Sequence, residues 1–342
     1  MTNFTEISKT ANYIPIYHVI FYQFVHPVFI IFGIIGNSWI LVTMWLRSVQ
    51  ISSKTKLYYL IIGLSDLSLV CCSLMWGDLC DSLYIWTGGK FFFCFEILSF
   101  FTCKVIRVWY YLSDIISNYA LVALSIERFV AVFWPLQAKY LLTKKFTFLL
   151  LCSLIVPCSV FYSVVIPLGS SIMPSFRAVS YSCSADNNSI FGYIFNVSMP
   201  IVILGIHTIV DLIISFLLFY KLYFSRSNKL EELSSKSKIV NTKEISATLT
   251  LICLCLITTI IYGTSLITYM STVIFHYYLI VPPSVYSSFF TIFLLSVSST
   301  PFPHSINILI YLILIPSFRE AALCRLKYVT SERSCSNVTK CN

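Results

Sequence analysis

Long apolar runs alternate with short polar ones along nearly the whole chain, and that alternation predicts its architecture. Stretches long enough to cross a bilayer fall at about 17–46, 57–79, 97–126, 146–168, 190–220, 245–275 and 284–315, each meeting the ~20 residues that a helical span needs. Backbone facing lipid must satisfy its own hydrogen bonds, so all seven spans are expected as helices. The expected fold is an all-α membrane protein: an outer N-terminal segment 1–16, a seven-transmembrane-helix bundle 17–315, and a tail 316–342.

The third span carries the most patterned polar positions. Cys103, Arg107, Tyr110, Asp114, Ser117, Leu121, Leu124 and Arg128 recur at alternating steps of four and three, so they share one helical face. Polar residues at this depth point into the bundle, either to a cavity or to an internal Arg107–Asp114 ion pair. Cys103 lies 25 residues before Arg128, roughly 37 Å along a helix and about one bilayer with its interfaces. One helix thus places a cysteine at one membrane face and the charged pair Glu127-Arg128 at the other.

Composition agrees with burial in lipid. The chain of 342 residues is 58% hydrophobic and 11% charged, with a mean hydropathy of +0.84, against about 25% charged residues in a soluble domain. The net charge of +9 is not a nucleic-acid footprint. Its basic residues gather in alternate loops (Arg47, Lys54 and Lys56; Lys139, Lys144 and Lys145; Lys221 to Lys243) and in the tail. Basic loops stay cytoplasmic, which predicts an N-terminus outside and a C-terminus inside. No loop is long enough to fold a nucleic-acid-binding domain; membrane lipid is the expected neighbour. The first sixteen residues lack a signal-peptide pattern, so the first span is expected to anchor uncleaved. The sequons at Asn3 and Asn187 fall on the predicted outer side, where they could be glycosylated.

Most of the thirteen cysteines lie within spans, where they read as small apolar packers. Cys103 and Cys183 differ, since both fall on the outer side, and they could close a disulfide pinning the loop between spans four and five. Cys80 and Cys94 flank the first outer loop and offer a second pairing. No hydrolase triad, metal set or phosphate loop is present, so no enzymatic activity is expected.

Across essentially its whole length the chain resembles the rhodopsin-like (class A) G-protein-coupled receptors. The resemblance runs through Gly36-Asn37, Leu64-Ser65-Asp66-Leu67 and Cys103. Glu127-Arg128-Phe129 resembles the family's Asp-Arg-Tyr, and Asn307-Ile308-Leu309-Ile310-Tyr311 resembles Asn-Pro-x-x-Tyr without its proline. Phe318-Arg319 resembles the start of the short amphipathic eighth helix, near which Cys324 could be palmitoylated.

The resemblance implies roles for these positions. Arg128 becomes a switch held by Glu127 and by Glu244 at the foot of the sixth span. Asp66, Ser117 and Asn307 match an allosteric sodium site, although His304 stands where the family carries a small polar residue. The alternative at Asp66 is a protonated acid bonded to Asn37. Arg107, Tyr110, Asp114 and Tyr262 line the expected ligand pocket, with a heterotrimeric G protein at the inner face. Tyr110 stands where amine receptors carry an aspartate, and Pro301 where opsins carry a lysine. An extracellular peptide is the expected ligand, and residues 135–143 are similar to the second inner loop of invertebrate neuropeptide receptors, including FMRFamide-receptor-like ones.

Four departures bear on activation: Ile261-Tyr262-Gly263-Thr264 for Cys-Trp-x-Pro, Thr208 for a tyrosine, Pro157 for a tryptophan, and Ile308 for the seventh-span proline. They keep open a receptor-like scaffold uncoupled from G proteins. A transport path lined by Asp66, Asp114 and Asp211 is the rival from another class. Asp211 itself is expected near the cytoplasmic interface, with His207 packing one turn before it.

Overall fold

The helices begin where short polar side chains can cap them. Ser52 Oγ accepts from the Thr55 amide at 3.2 Å, Ser99 and Thr102 form a reciprocal capping box, and Thr143 Oγ1 accepts from the Phe146 amide. Each arrangement satisfies an amide that the first helical turn leaves open. The computed structural model describes residues 20–45, 52–75, 86–88, 90, 91, 93–174, 181–186, 188–227, 235–277, 292, 295 and 299–322.

Helix α1 spans His26–Trp45 and is entered through a π-helical turn, Phe21–Val25. Helix α2 spans Ser53–Ser73, α3 Phe100–Phe133 and α4 Lys144–Gly169. Helix α5 runs as Ile190–Met199, a π-helical stretch Pro200–Ile206, and His207–Ser227. Pro200 lacks an N–H, and the ladder widens at that point instead of breaking. Helix α6 spans Ser235–Tyr277, and α7 comprises Pro301–Ser305 and Asn307–Leu314. A two-turn helix, Pro135–Leu141, links α3 to α4.

Among the described residues six helices are long and apolar enough to cross a membrane, α1 to α6. The seventh expected span is described chiefly from Ser299 onward, as α7. The chain is therefore an all-α, multi-pass membrane bundle. Residues 316–322 continue as helix, with Phe318 and Ala322 buried and Arg319 and Glu320 exposed. That is the amphipathic pattern expected there.

Helix α3 is the axis of the bundle and packs against α2, α4, α5 and α6. The expected stripe is buried from Cys103 to Leu124, but the burial is wider than a stripe. Between Ser113 and Ser125 every residue except Ile116 is buried. Lipid-facing apolar side chains concentrate on outer helices such as α4, where Phe148, Val160 and Phe161 are exposed.

Two features position the polar interior. Gly33 and Gly36 let α1 approach α7: a Cβ on Gly36 would fall 2.7 Å from Ile308 Cγ2, and one on Gly33 the same distance from Ser305 Oγ. At the Cys103 end of α3, strands β1 (Ser170–Pro174) and β2 (Tyr181–Ala185) form an antiparallel hairpin with Ile172 opposite Cys183. Cys183 is disulfide-bonded to Cys103, with Cα atoms 5.4 Å apart. Cys94 is also disulfide-bonded, while Cys80 lies outside the described residues.

Candidate functional site

A polar cluster from α2, α3, α6 and α7 occupies the middle of the bundle. On α2, Asp66 is fully buried, and its Oδ1 accepts from Ser117 Oγ at 2.5 Å. The same oxygen lies 2.7 Å from His304 Nδ1, and Oδ2 accepts from Asn307 Nδ2. The other edge of the His304 ring faces α3 and α6: Nε2 is 2.9 Å from Tyr262 Oη and 3.6 Å from Asp114 Oδ1. Tyr262 Oη donates to Asp114 Oδ1, which also accepts from Asn118 Nδ2 at 2.8 Å. Asn37 Nδ2 donates to the His304 carbonyl at 2.8 Å and ties α1 to the same residue. His304 is thus the link between two buried carboxylates.

Hydrogen-bond accounting assigns the ring's role. Ionised carboxylates only accept, and Tyr262 has one O–H, which it spends on Asp114. With both acids ionised, Nδ1 donates to Asp66 and Nε2 donates toward Tyr262 Oη and Asp114. A ring protonated on both nitrogens would then offset one of the two carboxylate charges.

The residues fit a sodium ion poorly, although Asp66, Ser117 and Asn307 do converge. Ser117 and Asn307 turn hydrogens, not lone pairs, toward Asp66, and His304 Nδ1 lies 2.7 Å from Asp66 Oδ1 and 3.5 Å from Ser117 Oγ, in the space a cation held by those two residues would need. A hollow of about 20 Å³ remains beside the cluster, lined by Ser117, Asn118, Thr258, His304, Asn307 and apolar residues, with no carboxylate. It has room for one water. The alternative of Asp66 bonded to Asn37 is not formed: Asn37 Nδ2 donates to the His304 carbonyl, and Asn37 Oδ1 accepts from no described group.

The expected ligand-pocket residues separate into two groups. Asp114 and Tyr262 belong to the cluster and are bonded to each other. Arg107 lies nearer the Cys103 end, buried, with its guanidinium 5.0 Å from the Phe195 ring and 5.7 Å from the Tyr111 ring. Those aromatic faces stabilise the cation. Tyr110 packs edge-on against Tyr111. The Arg107–Asp114 ion pair is not formed, since the ion-pair contacts among the described residues both belong to His304.

At the other end of α3 the charged pair is split. The Glu127 carboxylate accepts from Tyr58 Oη at 3.0 Å and from Thr147 Oγ1, while Arg128 Nη2 donates to Thr55 Oγ1 at 2.5 Å. Arg128 is therefore held by a neutral hydroxyl on α2, not by Glu127. The side chain of Glu244 lies outside the described residues, as do Asn3, Asn187 and Cys324. Phe129 packs tilted against Phe133 and edge-on against Trp134. Tyr311 is buried between Tyr59 and Phe318, at 4.9 and 5.8 Å between centroids.

Asp211 corrects an expectation. It is fully buried, not interfacial, and its Oδ1 accepts from Ser125 Oγ at 3.2 Å. The helix that carries it runs on to Ser227, sixteen residues beyond Asp211. His207 does pack, 4.9 Å edge-on to Tyr262. Sequence reasoning missed Asn118, Thr55, Tyr58 and Thr147 as partners. Asn118 was legible at one helical turn after Asp114; the other three depend on helix–helix register.

Comparison with known proteins gives a partial match. The chain is 27% identical over 113 residues to galanin receptor type 2 of Mus musculus, covering 33% of this chain and 28% of that receptor. The Homo sapiens galanin receptor type 2 matches at the same identity over the same length. Galanin receptor 2b of Danio rerio is 27% identical over 150 residues, covering 44% of this chain and 33% of that receptor. The match thus spans a third or less of these receptors' length. No protein-family model matches the chain.

Proposed function

We propose that this chain is a rhodopsin-like G-protein-coupled receptor for an extracellular peptide. The observation that carries the reading is the division of α3. One end is pinned by the Cys103–Cys183 bridge to a hairpin, and the other presents Arg128 bonded, among the described residues, to the Thr55 hydroxyl. The partial likeness to galanin receptors supports the class and a peptide ligand. In this reading the Cys103 end faces outward, and the basic loops and Arg128 face the cytoplasm. The peptide enters near Arg107 and Tyr110, and the motion passes through Tyr262 and His304 to the far end. There a cleft opens beside Arg128 and Phe129 and admits a heterotrimeric G protein. Tyr311 and Glu244 act at the rim of that cleft. Kinship to FMRFamide-type receptors rests on residues 135–143 alone.

The transport reading is the weaker one, because Asp66 and Asp114 are closed by hydrogen bonds and the hollow beside them has room for only about one water. The test is G-protein dissociation, read by energy-transfer sensors for each Gα class in cells expressing the chain, with a pooled neuropeptide library. The expected result is a response that Arg128→Ala abolishes at equal surface expression. A peptide response unchanged by Arg128→Ala would contradict the mechanism.

A further inference from the structure

We infer that His304 is a tethered replacement for the internal sodium ion that the resemblance implies, so that this bundle is indifferent to sodium. Three observations on separate atoms converge. The imidazole Nδ1 lies 2.7 Å from Asp66 Oδ1 and 3.5 Å from Ser117 Oγ, inside the space that a bridging cation would need. The remaining donors, Ser117 and Asn307, direct hydrogens at the carboxylate, and a hard cation needs oxygen lone pairs. The hollow left beside them contacts no carboxylate, so it is suited to a water and not to an ion.

The side chain also reaches farther than an ion centred on Asp66 would. Its Nε2 approaches Tyr262 and Asp114, and its carbonyl holds Asn37, so one residue joins α1, α2, α3, α6 and α7. Pro301 and Pro303 stiffen the segment that carries it. An ion can leave its site while the helices stay put. A tethered imidazole can break these contacts only if α7 moves or the ring rotates, so release here is a helix or rotamer event and not an ion-dissociation event.

The test is thermal unfolding of the purified full chain in nanodiscs, followed by a thiol-reactive dye that reports exposure of buried cysteines such as Cys72 and Cys255. Sodium chloride is compared with choline chloride at equal ionic strength. The wild-type midpoint is expected to be the same in both salts. His304→Ser opens a site with two carboxylates and added oxygen, and is expected to gain a sodium-specific rise of about 2–4 °C. Adding Asp66→Asn is expected to remove that rise. A sodium-specific rise of this size in the wild type, lost on Asp66→Asn, would overturn the inference. So would a folded His304→Ser with no sodium response. Should His304→Ser not fold, His304→Asn carries the same comparison. The readout is unfolding, so the result is separate from whether the chain couples to a G protein.

Discussion

The middle of α3 and its Arg128 end both bury charge, but they hold it in opposite ways. In the middle, Asp114 and Asp66 are joined through His304, and the contacts made by that one residue and its partners span five helices. At the end, Glu127 and Arg128 are neighbours in sequence yet face different neutral hydroxyls, Tyr58 and Thr147 for one and Thr55 for the other. Removing one member of a buried charged pair costs roughly 3–5 kcal/mol, whereas a hydrogen bond to a charged group contributes about 1.5–3 kcal/mol. The partly exposed position of Arg128 lowers its share further. The difference is that of a tie and a latch: the middle sets which helices stay together, and the end can let go at small expense.

The largest effect is expected from His304→Ala, which strands two buried carboxylates. It should lower stability by about 3–5 kcal/mol, seen as a lower unfolding midpoint and a smaller monodisperse fraction. If Thr55→Val cost as much, the contrast between tie and latch would collapse. Next comes Cys103→Ser. Opening the bridge to β2 should cost about 2–4 kcal/mol and speed proteolysis of the hairpin, with the Arg128 end unaffected. Tyr262→Phe keeps the ring and deletes the hydroxyl between Asp114 and His304, for an expected loss of about 1–3 kcal/mol. A double-mutant cycle of Tyr262→Phe with His304→Ala should be strongly non-additive, because the two share one network. Additivity would show that the Tyr262 hydroxyl acts independently of His304. The smallest change in stability is expected for Thr55→Val, about 1 kcal/mol.

Hydropathy and helical spacing made the bundle legible, and the spacing along α3 correctly named the residues that turn inward. It was the resemblance, and not periodicity, that placed Asp66, Ser117 and Asn307 together. Neither could show that Tyr262 from α6 and Asp114 meet at the far edge of the His304 ring, because that depends on crossing angles and rotation between helices distant in sequence. His304 was visible one turn before Asn307, but as an oddity and not as the centre. The split of Glu127 from Arg128 was hidden for a related reason: adjacent residues on a helix point about 100° apart, and only the positions of α2 and α4 decide which partner each finds. Asp211 was misjudged because charge marks a membrane boundary only when the helix ends near it. The hairpin was missed because Ser170–Pro174 and Tyr181–Ala185 are short and show no clear period of two.

The most direct test of the account is nucleotide exchange on purified Gα subunits of each class by the chain in nanodiscs, comparing wild type with Thr55→Val and Arg128→Ala. Freeing Arg128 from the Thr55 hydroxyl should raise ligand-independent exchange about fivefold, the shift that roughly 1 kcal/mol produces, and Arg128→Ala should abolish it. Exchange that is unaltered or reduced by Thr55→Val, or that survives Arg128→Ala, would contradict the account of Arg128 as a latch opened toward a G protein.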